Sequence, residues 1–221
     1  MNIFDFGFVI PLPAEAKPLL QKLKNRKSYK NALREVYTGT FIGKKISIII
    51  SGCGKIKSAA ATQFLIDTFP AKKYIHFGTA GAISGKLNIG DIVIATEVIE
   101  HDVVELFPQK VPPPRYKMTP LIQENQKPNG NFSLVWGKIV SGDEDVISTK
   151  RKLWLSRLYK GLSVDWESAG FALTCQLNNA PKYILRGISD YAYEHTTSEY
   201  EKNRQAVTEN IVRLLERVFT S

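Results

Sequence analysis

Residues 75–95 read IHFGTAGAISGKLNIGDIVIA: an apolar run, a glycine-rich turn and a second apolar run. The two runs, KYIHFGT and DIVIATEVI in full, lack the strict alternation of a strand that is wet on one face. Runs of this kind belong to strands covered on both faces. Working outward, strand-like FDFGFVI (4–10) precedes a helix-like EAKPLLQKLKN (15–25), and strands near 34–42 and 45–50 precede a helical KSAAATQFLIDTF (57–69). Downstream come LVWGKIV, a helical stretch in 148–158, GLSVD, a helical ESAGFALTCQLNN, YILRGISD and a final helix over 197–219. The alternation predicts an α/β chain folded as a three-layer α/β/α sandwich around a central mixed, largely twisted sheet. The one break, FPQKVPPPRYKM (107–118), reads as an irregular surface loop rather than a linker.

At 221 residues and 43% hydrophobic, the chain has length for one large domain with a complete core, and residues 1–221 are read as that single domain. No run approaches the ~20 apolar residues of a membrane helix, and MNIFDFGFVIP lacks the features of a signal peptide, so the reading is a cytoplasmic protein with no membrane partner. Cys53 and Cys175 lie far apart in apolar surroundings and read as buried free thiols. The net charge of +9 is scattered, without interleaved aromatics, and reads as a solvated basic surface rather than a nucleic-acid footprint. His76, His101 and His195 have no metal-ligand spacing, so no metal and no cofactor is expected.

In an α/β sheet the site gathers at the carboxyl ends of the strands. Each apolar strand here runs into a polar group or cluster: Glu15 after FVIPLP, SGCG (51–54), GTAG (78–81), SGDED (141–145), DWE (165–167) and ISD (188–190). The glycines let backbone N–H groups approach a ligand, and Thr79 adds a hydroxyl, which suits an oxygen-rich ligand such as a sugar. Neither GxGxxG nor GxxxxGK[ST] is present, so a dinucleotide or NTP cradle is not supported. His76 reads as a satisfied, half-buried histidine.

The blocks FGFVIPLPAEAKPLL, SGCGKIKSAAA, IHFGTAGAISGKLNIGDIVIA, KIVSGD, SVDWESAGFA and ILRGISD, in this order and spacing, resemble the nucleosidase branch of the purine nucleoside phosphorylase family. Its type members are 5′-methylthioadenosine/S-adenosylhomocysteine nucleosidases, and the likeness covers nearly the whole chain apart from 108–131. The resemblance implies a nucleoside phosphorylase-like fold and hydrolysis of the N-glycosidic bond of a purine nucleoside with a 5′ thioether. It implies Glu167 as the clamp on the ribose hydroxyls, Asp190 as the acid facing the purine, and Glu15 as the group that activates water, with Arg186 and Thr79 helping to hold that water. Trp166, Ala80, Gly81, Val146 and Ser189 complete the expected substrate wall. Asp165 and Glu167 are expected to help keep Asp190 protonated. A small-molecule nucleoside is the expected ligand and a homodimer the expected assembly, with LFPQKVPPPRY near the place where a partner loop closes the pocket in the family.

Three positions depart from the family pattern. PLPAEA replaces an acidic run, Trp166 replaces a methionine, and Asp145 stands where a phenylalanine stacks on adenine, which puts the base preference in question. His76 occupies the place of a phosphorylase arginine, while Lys55 and Arg186 remain as candidate cations. A dianionic phosphate needs fixed cations and is repelled by Glu15, so water is the expected nucleophile. A futalosine-type hydrolase, a phosphate-dependent phosphorylase, and a nucleoside-binding protein without chemistry remain as alternatives.

Overall fold

The computed structural model describes residues 3–31, 34–104, 111–124 and 132–220. Strand β1 (Phe4–Ile10) is flanked in parallel by β4 (Lys44–Ile50) and β5 (Ala71–Ala82). An antiparallel run of β3 (Arg34–Phe41) and β2 (Lys24–Asn31) extends the sheet beyond β4. On the other side β5 pairs in parallel with β10 (Lys182–Asp190), and β10 runs antiparallel to β6 (Ile92–Glu100). Next come β8 (Leu134–Ser141), parallel to β6, and the short β9 (Ser163–Asp165), parallel to β8. β9 then pairs back onto β5, so this half of the mixed sheet closes on itself instead of ending in an open edge.

Side-chain alternation explains why the strands read as continuous apolar runs. Phe8 and Ile10 point into a core shared with α1 (Pro13–Gln21) and α5 (Thr196–Thr220), through Leu19, Ile211 and Leu215. Val9, between them, points into a second core with α2 (Lys55–Thr68) and α4 (Ser168–Leu177), through Leu65, Phe171 and Ala172. With helices on both faces, neither side of β1 needs polar residues. A third cluster joins α3 (Thr149–Tyr159) to the closed end through Leu155, Val140 and Val164.

Three expectations are corrected. The helix expected over 15–25 spans Pro13–Gln21, because Pro13 starts it and the chain turns at Lys22 into β2, an edge strand whose first residues, Lys24 and Asn25, fall within the expected helix. The loop expected over 107–118 falls partly outside the described residues. Its end, RYKM, forms β7 (Arg115–Lys117) against β6, with Tyr116 and Met118 in the core. His76 is fully buried, not half-buried.

At the α2–α4 crossing, a Cβ added to Gly170 would lie 2.1 Å from the Lys55 carbonyl oxygen, so only glycine lets the two helices meet. Gly170→Ala is expected to destabilise the protein by about 1–3 kcal/mol despite alanine's better helix propensity, since overpacking outweighs propensity here. The measurement is the denaturant midpoint, and an unchanged or higher midpoint would remove this contact from the account.

Candidate active site

The exits of β1, β5, β9 and β10 surround a cavity of about 350 Å³. Glu15, Thr79, Ala80 and Gly81 line one side of it. Val146, Trp166 and Glu167 form another side, and Ser189 and Asp190 close a third. Arg186 alone of the expected site residues is absent from the wall: it lies fully buried behind it.

Glu15 enters from the first turn of α1, where Pro13 sets the helix start and the Leu12 N–H donates to its Oε2 at 3.2 Å. Its Oε1 accepts both the backbone N–H and the hydroxyl of Thr79, each at 2.7 Å. Burial raises the Glu15 pKa, against the pull of the Thr79 bonds and the Arg186 charge. The Thr79 hydroxyl, expected to hold a water, is donated to this carboxylate.

Burying a guanidinium demands partners for charge and for each N–H. Arg186 Nε lies 2.6 Å from Asp165 Oδ2, and Nη2 lies 3.3 Å from Glu167 Oε2. Nη2 also meets His76 Nε2 at 2.6 Å. Because the guanidinium only donates, His76 accepts at Nε2 and donates from Nδ1 to the Val9 carbonyl at 2.6 Å, which fixes a neutral tautomer. Burial, joined by the Arg186 charge, lowers the His76 pKa to about 3. Nη1 of Arg186 has no hydrogen-bond partner. It and the Glu15 carboxylate both lie close to the face of Gly78 that a Cβ would occupy: a Cβ added there would be 2.5 Å from Nη1 and 3.1 Å from Glu15 Oε1.

The two acids beside Arg186 shift in opposite directions. For Asp165 burial pushes upward, but the Arg186 charge and hydrogen bonds from Ser168 and Ser141 outweigh it and the pKa falls. For Glu167 burial wins over the more distant Arg186 contact, Asp165 and Glu15 add repulsion, and the pKa rises to about 7. Glu167 Oε1 also accepts the Gly54 N–H at 3.1 Å, which ties it to the start of α2.

Asp190 lies at the end of β10, where Ser189 Oγ donates to Oδ2 at 2.7 Å and the Ala192 N–H to Oδ1 at 3.0 Å. Burial raises its pKa, and Glu199, not the expected Asp165 and Glu167, is the carboxylate that adds to the rise. Gly81 is needed beside it, since a Cβ there would come within 2.8 Å of Oδ1. Trp166 donates from Nε1 to the Glu144 carbonyl at 2.9 Å, which pins the 142–146 loop to the cavity. Asp145 lines the rim in an exposed position. Lys55 faces elsewhere: its Nζ lies 2.7 Å from Glu100 and 2.6 Å from Asp102. Among the described residues no group of three His, Cys, Asp or Glu side chains is placed to hold a metal ion, and no helix is long and apolar enough to cross a membrane.

Residues 5–220 match the profile of the phosphorylase superfamily. The chain belongs to that superfamily. Among its relatives, the 5′-methylthioadenosine/S-adenosylhomocysteine nucleosidase of Bacillus cytotoxicus is 31% identical over 199 residues, covering 85% of this chain and 86% of the relative. That of Anoxybacillus flavithermus is 32% identical over 213 residues, covering 91% and 90%. Among solved structures, the Neisseria meningitidis nucleosidase in complex with methylthio-immucillin-A superposes with a TM-score of 0.86 at 26% identity, covering 98% of each chain. These relatives place the chain in the nucleosidase branch of the superfamily.

Some cavity residues of this superfamily member carried no signal in the sequence. Leu12 lies in an apolar stretch and is no polar strand end, and Thr196, Thr197 and Tyr200 arrive from the start of α5. The role of His76 as a neutral acceptor for Arg186 also depends on the fold, because β5 and β10 must first pair in register to bring them together.

Removing one partner of a buried ion pair leaves the other uncompensated. Asp165→Ala is therefore expected to destabilise the protein by about 3 kcal/mol or more. A chemical-denaturation midpoint within experimental error of the unsubstituted protein would contradict this ordering of the site.

Proposed function

We propose that the protein hydrolyses the N-glycosidic bond of 5′-methylthioadenosine and S-adenosylhomocysteine, releasing adenine. The carrying observation is the unpartnered Nη1 of buried Arg186 beside the Glu15 carboxylate over Gly78. A free N–H donor and a carboxylate base beside the same glycine suit a water molecule. They do not suit a phosphate dianion, since His76 is neutral and Lys55 is engaged by two carboxylates.

The roles follow from the environments. Glu15 takes a proton from the water as it attacks the anomeric carbon C1′ of the ribose. Glu167 accepts hydrogen bonds from the ribose hydroxyls, and its ionised form stabilises the positive charge that develops on the sugar as the C1′–N9 bond breaks. Asp190, whose pKa burial raises, gives a proton to the imidazole-ring nitrogen, so that the bonding electrons leave with a neutral purine. Ala80, Gly81, Val146, Trp166 and Ser189 shape the wall against the substrate, and Thr79 orients the base Glu15. We read residues 1–221 as one domain of three layers modified by the closed end of the sheet, acting in the cytoplasm. Exposed Ile147, Leu153, Trp154 and Leu158 on and before α3 support a homodimer.

Product analysis with and without ~50 mM phosphate tests the reading. The expected products are adenine and the free 5′-thio-ribose, at a rate independent of phosphate, and Asp190→Asn is expected to lower turnover by ~10²–10⁴. A sugar 1-phosphate formed at a rate that climbs with phosphate would assign the chain to phosphorolysis instead.

A further inference from the structure

One polar group on the cavity wall has no part in these roles. Tyr200 lines the cavity, and its buried hydroxyl has no well-formed hydrogen bond, with Arg204 the donor-type group that acts on it. A phenylalanine would fill the same space without leaving a buried polar group unmet, so the hydroxyl calls for an atom that the ligand brings. Its place along α5 says which atom. Thr196, one turn earlier, approaches Asp190 at the base end of the cavity. Tyr200 is a turn further on, where burial and then the Glu15 carboxylate raise its pKa and Arg204 lowers it, which sets it between Glu15 and Arg204. With the base at Asp190 and the ribose at Glu167, this is the end that receives the 5′ substituent.

The wall at that end is of two kinds. Pro11, Leu12 and the Cys53 thiol offer an apolar channel beside Glu15, suited to a thioether stem. One further helical turn along, beyond the cavity wall, the exposed Arg204 holds its guanidinium 5.6 Å from the Tyr200 ring centroid, close enough to act on the phenol. An apolar channel that ends in a hydroxyl donor and a cation matches an alkyl thioether ending in a carboxylate. Resting on the nucleosidase reading, we infer that Tyr200 and Arg204 form a subsite for the carboxylate tail of S-adenosylhomocysteine, favouring it over the bare methylthio group of 5′-methylthioadenosine.

The test compares kcat/KM for the two compounds in the unsubstituted protein, Tyr200→Phe and Arg204→Gln. The ratio of S-adenosylhomocysteine to methylthioadenosine is expected to fall by roughly 10-fold in Tyr200→Phe, the loss of one hydrogen bond to a charged group. In Arg204→Gln it should fall several-fold, and raising the salt should erode the unsubstituted protein's preference in the same direction. A ratio that stays within about twofold in both variants overturns the subsite. Calorimetric binding of both compounds in an Asp190→Asn background reads the same ratio without chemistry. Binding with the expected preference but no hydrolysis by the unsubstituted protein would fault the proposed reaction alone, whereas binding without preference, or no binding, would overturn the subsite.

Discussion

A guanidinium fully out of water is the constraint around which the site is arranged. Arg186 comes from the centre of the sheet on β10, where bulk solvent cannot satisfy it, so its neighbours must supply both countercharge and acceptors. Asp165 on β9, Glu167 at the start of α4 and His76 on β5 meet that demand from three different elements. This convergence requires β5 to pair with both β9 and β10, which is also the pairing that closes the sheet. Closure and charge compensation are thus two aspects of one arrangement.

The same arrangement divides four buried carboxyl groups by task. Asp165, in the shortest contact with Arg186, is held ionised and serves as the fixed countercharge. Glu167 is further from the guanidinium and titrates near 7, so its charge responds to what binds beside it. Glu15 on α1 and Asp190 at the end of β10 are raised mainly by burial, with Arg186 drawing only the first back down. A base and an acid of the same chemical type can work at one pH when their surroundings differ in this way.

Much of this was legible in the sequence because strand ends and glycine turns are local features. Each of the six polar clusters after an apolar strand contributes to the cavity wall, and Gly81 is needed where the GTAG turn suggested a close approach. What escaped was set by pairing at a distance. Nothing in RYKM marks it as a strand until β6 is beside it, and nothing in the lysine-rich stretch from Lys24 marks where the helix gives way to an edge strand. The sequence points to the wrong source for the Asp190 shift because Glu199 reaches it only after α5 folds back. The neutral state of His76 likewise follows from Arg186 and the Val9 carbonyl, neither of which is near it in sequence.

In the proposed hydrolysis the free N–H of Arg186 and the Glu15 carboxylate together hold a water, not a phosphate. A high-resolution crystal structure of the protein near pH 7, soaked in phosphate, tests it most directly. The account expects an ordered water within about 3 Å of both Arg186 Nη1 and a Glu15 oxygen, with phosphate excluded from that position. A phosphate bound there, or an Nη1 satisfied by a protein atom with no water beside Glu15, would contradict it.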